Sequence, residues 1–233
     1  MPTERDFEKV AALCKAKLDL AHVQLPEEYH YHSLPLCVID AVFSIGVQYA
    51  STRNTVIRFC QHFGIPRLRK EGIPPPMEQL SMTDFIGIYD EYGIARMTEE
   101  VFRNRQRTST RNGILKSEAV LGFSQVLVQF GIDYLQDTDR IIGNREFEER
   151  IQAIPGQRSG ISLRYFYMLA GSDAYIKPDR MIARFIYSAL NKRMSVDESH
   201  EVIMGAYRIL VQEFPSLTPR ALDYMIWRYQ REL

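Results

Sequence analysis

Ile154-Pro155-Gly156-Gln157-Arg158-Ser159-Gly160 sets two glycines around a short turn, and a helix-like apolar segment, Ile161 to Ala170, follows at once. A glycine-framed turn that runs into a helix leaves main-chain N–H groups open to an anion. Glycine also lets the chain approach a phosphate closely and take backbone angles that a side chain forbids. Gln157, Arg158, Ser159 and Gly160 are the donors this pattern offers, and the Arg158 guanidinium adds charge. Lys177-Pro178-Asp179 comes after that segment, with the proline fixing the approach of the acid. The pattern points to a phosphate grip with a carboxylate downstream. Each part also has a plainer reading: the turn as an ordinary glycine helix cap, and Asp179 as the N-cap of a helix from Met181.

Further candidates lie upstream. Arg103, Arg105, Arg107 and Arg111 alternate with Asn, Gln, Thr and Ser in an acid-free stretch. Such a stretch suits phosphate contacts, and it equally suits a solvated loop. Arg67, Arg69 and Lys70 form a weaker second patch. Tyr29-His30-Tyr31-His32 offers rings that either stack on a base or plug a packing interface. The two histidines have no identifiable partner, so no metal site is expected. Cys14, Cys37 and Cys60 stand far apart in apolar-periodic segments, which fits buried thiols better than a disulfide framework or a zinc site.

The elements that must position these residues read as helices. Apolar spacing predicts helices over 6–21, 36–50, 51–63, 82–92, 114–131, 146–153, 161–170 and 181–190. Ser51 or Thr52 is the expected cap of the third, and Ser81 or Thr83 of the fourth. Ser195-Val196-Asp197-Glu198 has the form of a capping box opening a helix to about Phe214, and Thr218-Pro219 opens the last, 221–231. Ile73-Pro74-Pro75-Pro76 cannot lie inside a helix and marks a loop. No alternating strand pattern and no internal repeat are visible, so the fold class expected is all-α.

A chain of 233 residues is long enough for a full core. Its 29 Lys and Arg balance 29 Asp and Glu, which argues against bulk attraction to nucleic acid but leaves room for a local basic face. No apolar run approaches the ~20 residues of a bilayer span, and the N-terminus lacks a signal-peptide core. A cytoplasmic protein is expected, nucleoid-associated if the source is bacterial.

The order of the turn, the helix and Asp179 resembles the helix-hairpin-helix DNA glycosylases, the superfamily of endonuclease III and the adenine mismatch glycosylases. The Pro155-Gly156 turn and Asp179 are spaced close to the family's distance. The hairpin departs from the pattern, with two extra residues between Gly156 and Gly160, and Pro178-Asp179-Arg180 stands where the family has Val-Asp-Thr. Ser44-Ile45-Gly46-Val47-Gln48-Tyr49-Ala50-Ser51 and Gly113-Ile114-Leu115-Lys116-Ser117-Glu118-Ala119 extend the likeness to about residues 33–231.

The resemblance implies a bilobal helical fold with the substrate cleft between the lobes. One lobe would hold about 1–35 and 180–233, the other about 36–179 with the hairpin at 154–162. It implies a monomer acting on double-stranded DNA without a cofactor. No cysteine follows Cys60, so the iron–sulfur cluster of many relatives is not expected. Asp179 would be the catalytic carboxylate. Gly156 to Gly160, Ser162, Lys177, Arg107 and Arg111 would contact DNA, and Gln48 would enter the gap left by a flipped base or else simply face solvent. Bifunctional relatives carry a lysine where this chain has Ile161 or Ser162, so any activity is expected to be monofunctional. A DNA-binding relative without catalysis and a helical protein-interaction module are the alternative expectations.

Overall fold

The computed structural model describes residues 1–22, 24–70 and 72–232. Among the described residues there are ten α-helices and no strand, only two isolated β-bridges, Tyr31 with Leu68 and Arg107 with Leu115. The all-α class is therefore present. Among the described residues no helix is long and apolar enough to cross a membrane. The chain divides into a terminal unit, residues 1–26 and 172–233, and a central unit, residues 27–171.

The terminal unit is built from α1 (Glu4–Lys17), α8 (Arg180–Leu190), α9 (Val196–Leu210) and α10 (Pro219–Glu232). α8, α9 and α10 each begin on a side chain that accepts a first-turn N–H. Thr3 and Asp6 bond one another ahead of α1, Ser195 and Glu198 form the expected capping box of α9, and Thr218 Oγ1 accepts the Ala221 N–H at 3.1 Å. The buried faces of the four helices, including Val10, Cys14, Phe185, Ile186, Val202, Ile203, Leu222 and Ile226, make one core. α1 lies close against α9 because position 205 is glycine: a Cβ there would fall 2.6 Å from Cδ2 of Phe7. Trp227 on α10 is half-buried, stacked with Tyr224 and covered by Arg231 at 4.6 Å, in keeping with a packing role.

The central unit contains α2 (Leu34–Phe43), α3 (Tyr49–Phe63), α4 (Met82–Arg96), α5 (Lys116–Gln129), α6 (Arg145–Ala153) and α7 (Ile161–Ala170). All ten residues of α2 are buried, and it touches α3, α4, α5 and α7. A helix apolar on every face is a central helix. The sequence pattern runs this helix on to Ala50, but it ends at Phe43 because the chain turns at Gly46, whose φ is +72°. The cap of α3 is accordingly Gln48 and not Ser51 or Thr52. Ser81 does cap α4, its Oγ accepting the Asp84 N–H at 2.9 Å.

The carbonyls left open where α2 ends are met by Lys116. Its ammonium, on a residue only 2 % exposed, donates to Phe43 O at 2.8 Å and Ile45 O at 2.7 Å. A cation at a helix C-terminus completes its backbone bonding and favours the local dipole. The three cysteines are buried free thiols, and burial pushes Cys14 and Cys60 up to about 12.

Candidate functional site

In the central unit, α6 and α7 are joined by two consecutive turns. The Gln157 N–H closes on Ile154 O at 2.9 Å and the Gly160 N–H on Gln157 O at 3.0 Å, so neither donor is left for a ligand. Gln157 is 2 % exposed and its side-chain Oε1 accepts a hydrogen bond from the hydroxyl of Ser162, also 2 % exposed. These two side chains brace the turn from inside and do not face outward. Arg158 and Ser159 are exposed, and their main-chain N–H groups have no partner among the described residues. The anion-facing set thus narrows to Arg158, Ser159 and the first turn of α7, with Gly160 as its N-cap.

Gly156 has φ +88°, and a Cβ there would overlap that of Thr108 and lie 2.7 Å from its Oγ1. The glycine is required twice, by backbone angle and by approach. That contact joins the turn to the arginine stretch. There the chain doubles back on itself: the Thr108 N–H donates to Ile114 O at 2.9 Å, the Lys116 N–H to Gln106 O at 2.8 Å, and Arg107 Nη1 to Gly113 O at 2.7 Å. Arg105 pairs with Glu99 at 2.6 Å, so the stretch is not acid-free in space. Arg107, Arg111 and Arg158 are exposed and form no ion pair with a carboxylate among the described residues.

Gln48 is exposed at the start of α3, and its side chain makes no capping bond. The segment around it is tied to the arginine stretch by Gln106 Nε2, which donates to Ser51 Oγ at 3.2 Å, and by Lys116. One buried acid of this unit was not singled out by the sequence. Asp40, in the middle of α2 and 0 % exposed, accepts the Tyr31 hydroxyl at 2.8 Å and the Tyr49 hydroxyl at 3.4 Å. Burial, then the Asp40 charge, pushes Tyr31 well above its ordinary range, which keeps it a neutral donor. The available signal was the acid itself, since a carboxylate inside an apolar run must find partners.

In the terminal unit, residues 172–179 lead into α8. Asp179 is its N-cap: Oδ1 accepts the Met181 N–H at 2.7 Å. Both sequence readings of Asp179 remain compatible with that bond, because a carboxylate has a second oxygen. Lys177 is partly buried, and its main-chain N–H donates to Asp223 Oδ1 at 2.8 Å. Asp223 is 5 % exposed. Burial first, and then the Asp179 charge, pushes it up to about 8, with the Lys177 N–H and charge opposing. Two carboxyls that cannot both ionise comfortably share the region. Nothing in the sequence linked Asp223 to Asp179. Among the described residues no cluster of His, Cys, Asp and Glu is placed to hold a metal ion. His30 and His32 precede α2, with burial lowering the His32 pKa.

The structure therefore defines an all-α protein of two helical units, one carrying a glycine turn packed on Thr108 and the other a carboxyl pair. The chain belongs to the family described as Domain of unknown function (DUF8548), which it matches over residues 8–231. No curated protein and no solved structure matches it.

Proposed function

We propose that the protein is a monofunctional DNA base-excision glycosylase with the helix-hairpin-helix glycosylase fold, acting as a monomer on double-stranded DNA in the cytoplasm. The observation that carries the reading is the contact of Gly156 with Thr108. It gathers Arg158, Ser159, Arg107 and Arg111 onto two joined segments of one unit, with main-chain donors and cations uncompensated by acids. This is the chemistry of a phosphodiester contact.

Asp179 supplies the catalytic carboxylate in this reading. The target base leaves the stack, the C1′–N bond breaks, and positive charge builds on the sugar. Asp179 stabilises that charge and aligns a water, which adds hydroxide to C1′ while its proton goes to the departing base. Ile161 and Ser162 cannot form an imine with the sugar, so the product is an abasic site in an uncut strand. Asp179's role as the N-cap of α8 favours a second reading, a DNA-binding relative without catalysis.

Base release from duplexes holding uracil, alkylated, oxidised or hypermodified bases tests the proposal, with Asp179→Asn as the control. Release by the native chain and its loss in the variant support catalysis. No release from any substrate, with a salt-sensitive gel shift retained, leaves the second reading. No shift at all refutes both.

A further inference from the structure

The carboxyl pair of the terminal unit assigns a role to a residue that neither the sequence pattern nor the proposed reaction uses. Asp223 lies near the start of α10, and that end of the helix holds the segment carrying Asp179 at two points. At the first point, the Arg220 N–H donates to Asp173 O at 3.2 Å, and the Arg220 guanidinium pairs with the Asp173 carboxylate at 2.7 Å. At the second, Asp223 Oδ1 accepts the Lys177 N–H at 2.8 Å. Lys177 in turn is one step from the acid: its carbonyl accepts the Asp179 N–H at 2.6 Å, across Pro178. The chain Asp223–Lys177–Asp179 is thus continuous in hydrogen bonds, and the Met181 N–H holds the far end through Asp179 Oδ1.

We propose that Asp223 is the positioning residue for Asp179, clamping the main chain that presents it. Asp223 is almost fully enclosed, and the charged groups acting on it are Asp179 and Lys177. Burial, and then the neighbouring Asp179, raise the Asp223 carboxyl well above the ordinary carboxylate range, which favours its neutral form. A neutral carboxyl still accepts the Lys177 N–H. The clamp therefore persists in the neutral form of Asp223. The inference rests on the glycosylase reading for its catalytic consequence, while the clamp and the raised Asp223 titration stand without it.

Two variants of the full chain separate the parts. Asp223→Asn keeps an oxygen acceptor for the Lys177 N–H and removes the titration; Asp223→Ala removes both. Amide exchange at Lys177 is expected to accelerate at least about tenfold in Asp223→Ala and to change less than about threefold in Asp223→Asn. Carboxyl carbon NMR is expected to show the Asp223 titration well above the ordinary carboxylate range in the native chain. It should move down when Asp179 is replaced by Asn, because the charge that raises it is gone. In base release, Asp223→Ala is expected to lose at least about tenfold in kcat with KM little changed, and Asp223→Asn to restore most of that loss.

An unprotected Lys177 amide in the native chain, or an Asp223 titration that ignores Asp179→Asn, overturns the positioning role. So does base release with full kcat in Asp223→Ala. If no chain releases base, the glycosylase reading falls, and exchange and titration still decide whether Asp223 clamps and carries the proton.

Discussion

Gly156→Ala is the most direct probe of the turn. The added methyl faces two obstacles. Backbone at φ +88° disfavours a side chain by about 1–2 kcal/mol. The methyl also collides with Thr108, whose Cβ and Oγ1 leave it no room, and overpacking of this kind costs about 1–3 kcal/mol. The sum is a loss of about 2–5 kcal/mol. Thr108→Gly removes both the Cβ and the hydroxyl that block the methyl. In that background the alanine should meet only the backbone cost of about 1–2 kcal/mol. A double-mutant cycle therefore carries a coupling of about 1–3 kcal/mol, the collision alone. Urea unfolding followed by far-UV circular dichroism measures it, with amide exchange at Gln157 and Gly160 locating the damage at the turn. Additive costs, or a Gly156→Ala protein within about 0.5 kcal/mol of native, would refute the argument that Thr108 seats the turn.

Lys116→Met leaves the carbonyls of Phe43 and Ile45 without their charged donor and is expected to destabilise by about 2–3 kcal/mol in the same unfolding assay. Gly205→Ala in α9 drives a methyl into the Phe7 ring and should lower stability by about 1–3 kcal/mol, an effect relieved in the Phe7→Ala background. The Lys192 ammonium, helped by Thr3, holds Asp6 down at about 2 despite its burial. A depressed carboxylate stabilises the fold above its unfolded pKa, so this contribution is complete above about pH 4 and disappears as the pH falls toward 2. Because Lys192 is 58 % exposed, about 1 kcal/mol is expected, read as the acid-limb difference between native and Asp6→Asn. Asp223 has the opposite sign: it keeps its proton in the fold and loses it in the unfolded chain, so stability falls as the pH rises from about 4 to about 8. Asp223→Asn should flatten that slope, and an unchanged slope would exclude a retained proton.

Local rules reached far along this chain. The helix at 161–170 follows from its apolar spacing and its two flanking glycines, and it occupies Ile161–Ala170. Ser195 and Thr218 each open a helix, since a cap is decided by residues three apart. The end of α2 was hidden for a physical reason. Its apolar run continues through Ile45 and Val47, and only the turn at Gly46 breaks it. The site was less visible because its partners are distant. Lys116 reads as a solvent-facing lysine of an amphipathic helix, yet its ammonium reaches back to carbonyls of a helix more than seventy residues earlier. Asp223 reads as the polar side of α10, and its partner Lys177 is 46 positions upstream. Gln157 reads as a main-chain donor because it follows the turn's first glycine; that its N–H closes on Ile154 O and its amide turns inward to Ser162 depends on how the turn packs.

The order in which the chain leaves the ribosome bears on the make-up of the terminal unit. α1 is synthesised before the central unit, and the helices that cover Val10, Ala11 and Cys14 only after it. At ~5–20 residues per second, that apolar stripe waits on the order of ten seconds or more for a partner. The central unit, being contiguous, has everything it needs to fold meanwhile. A nascent chain stalled before α9 would therefore display a finished middle and an unsatisfied leading helix, the sort of surface that holding chaperones and proteases find first.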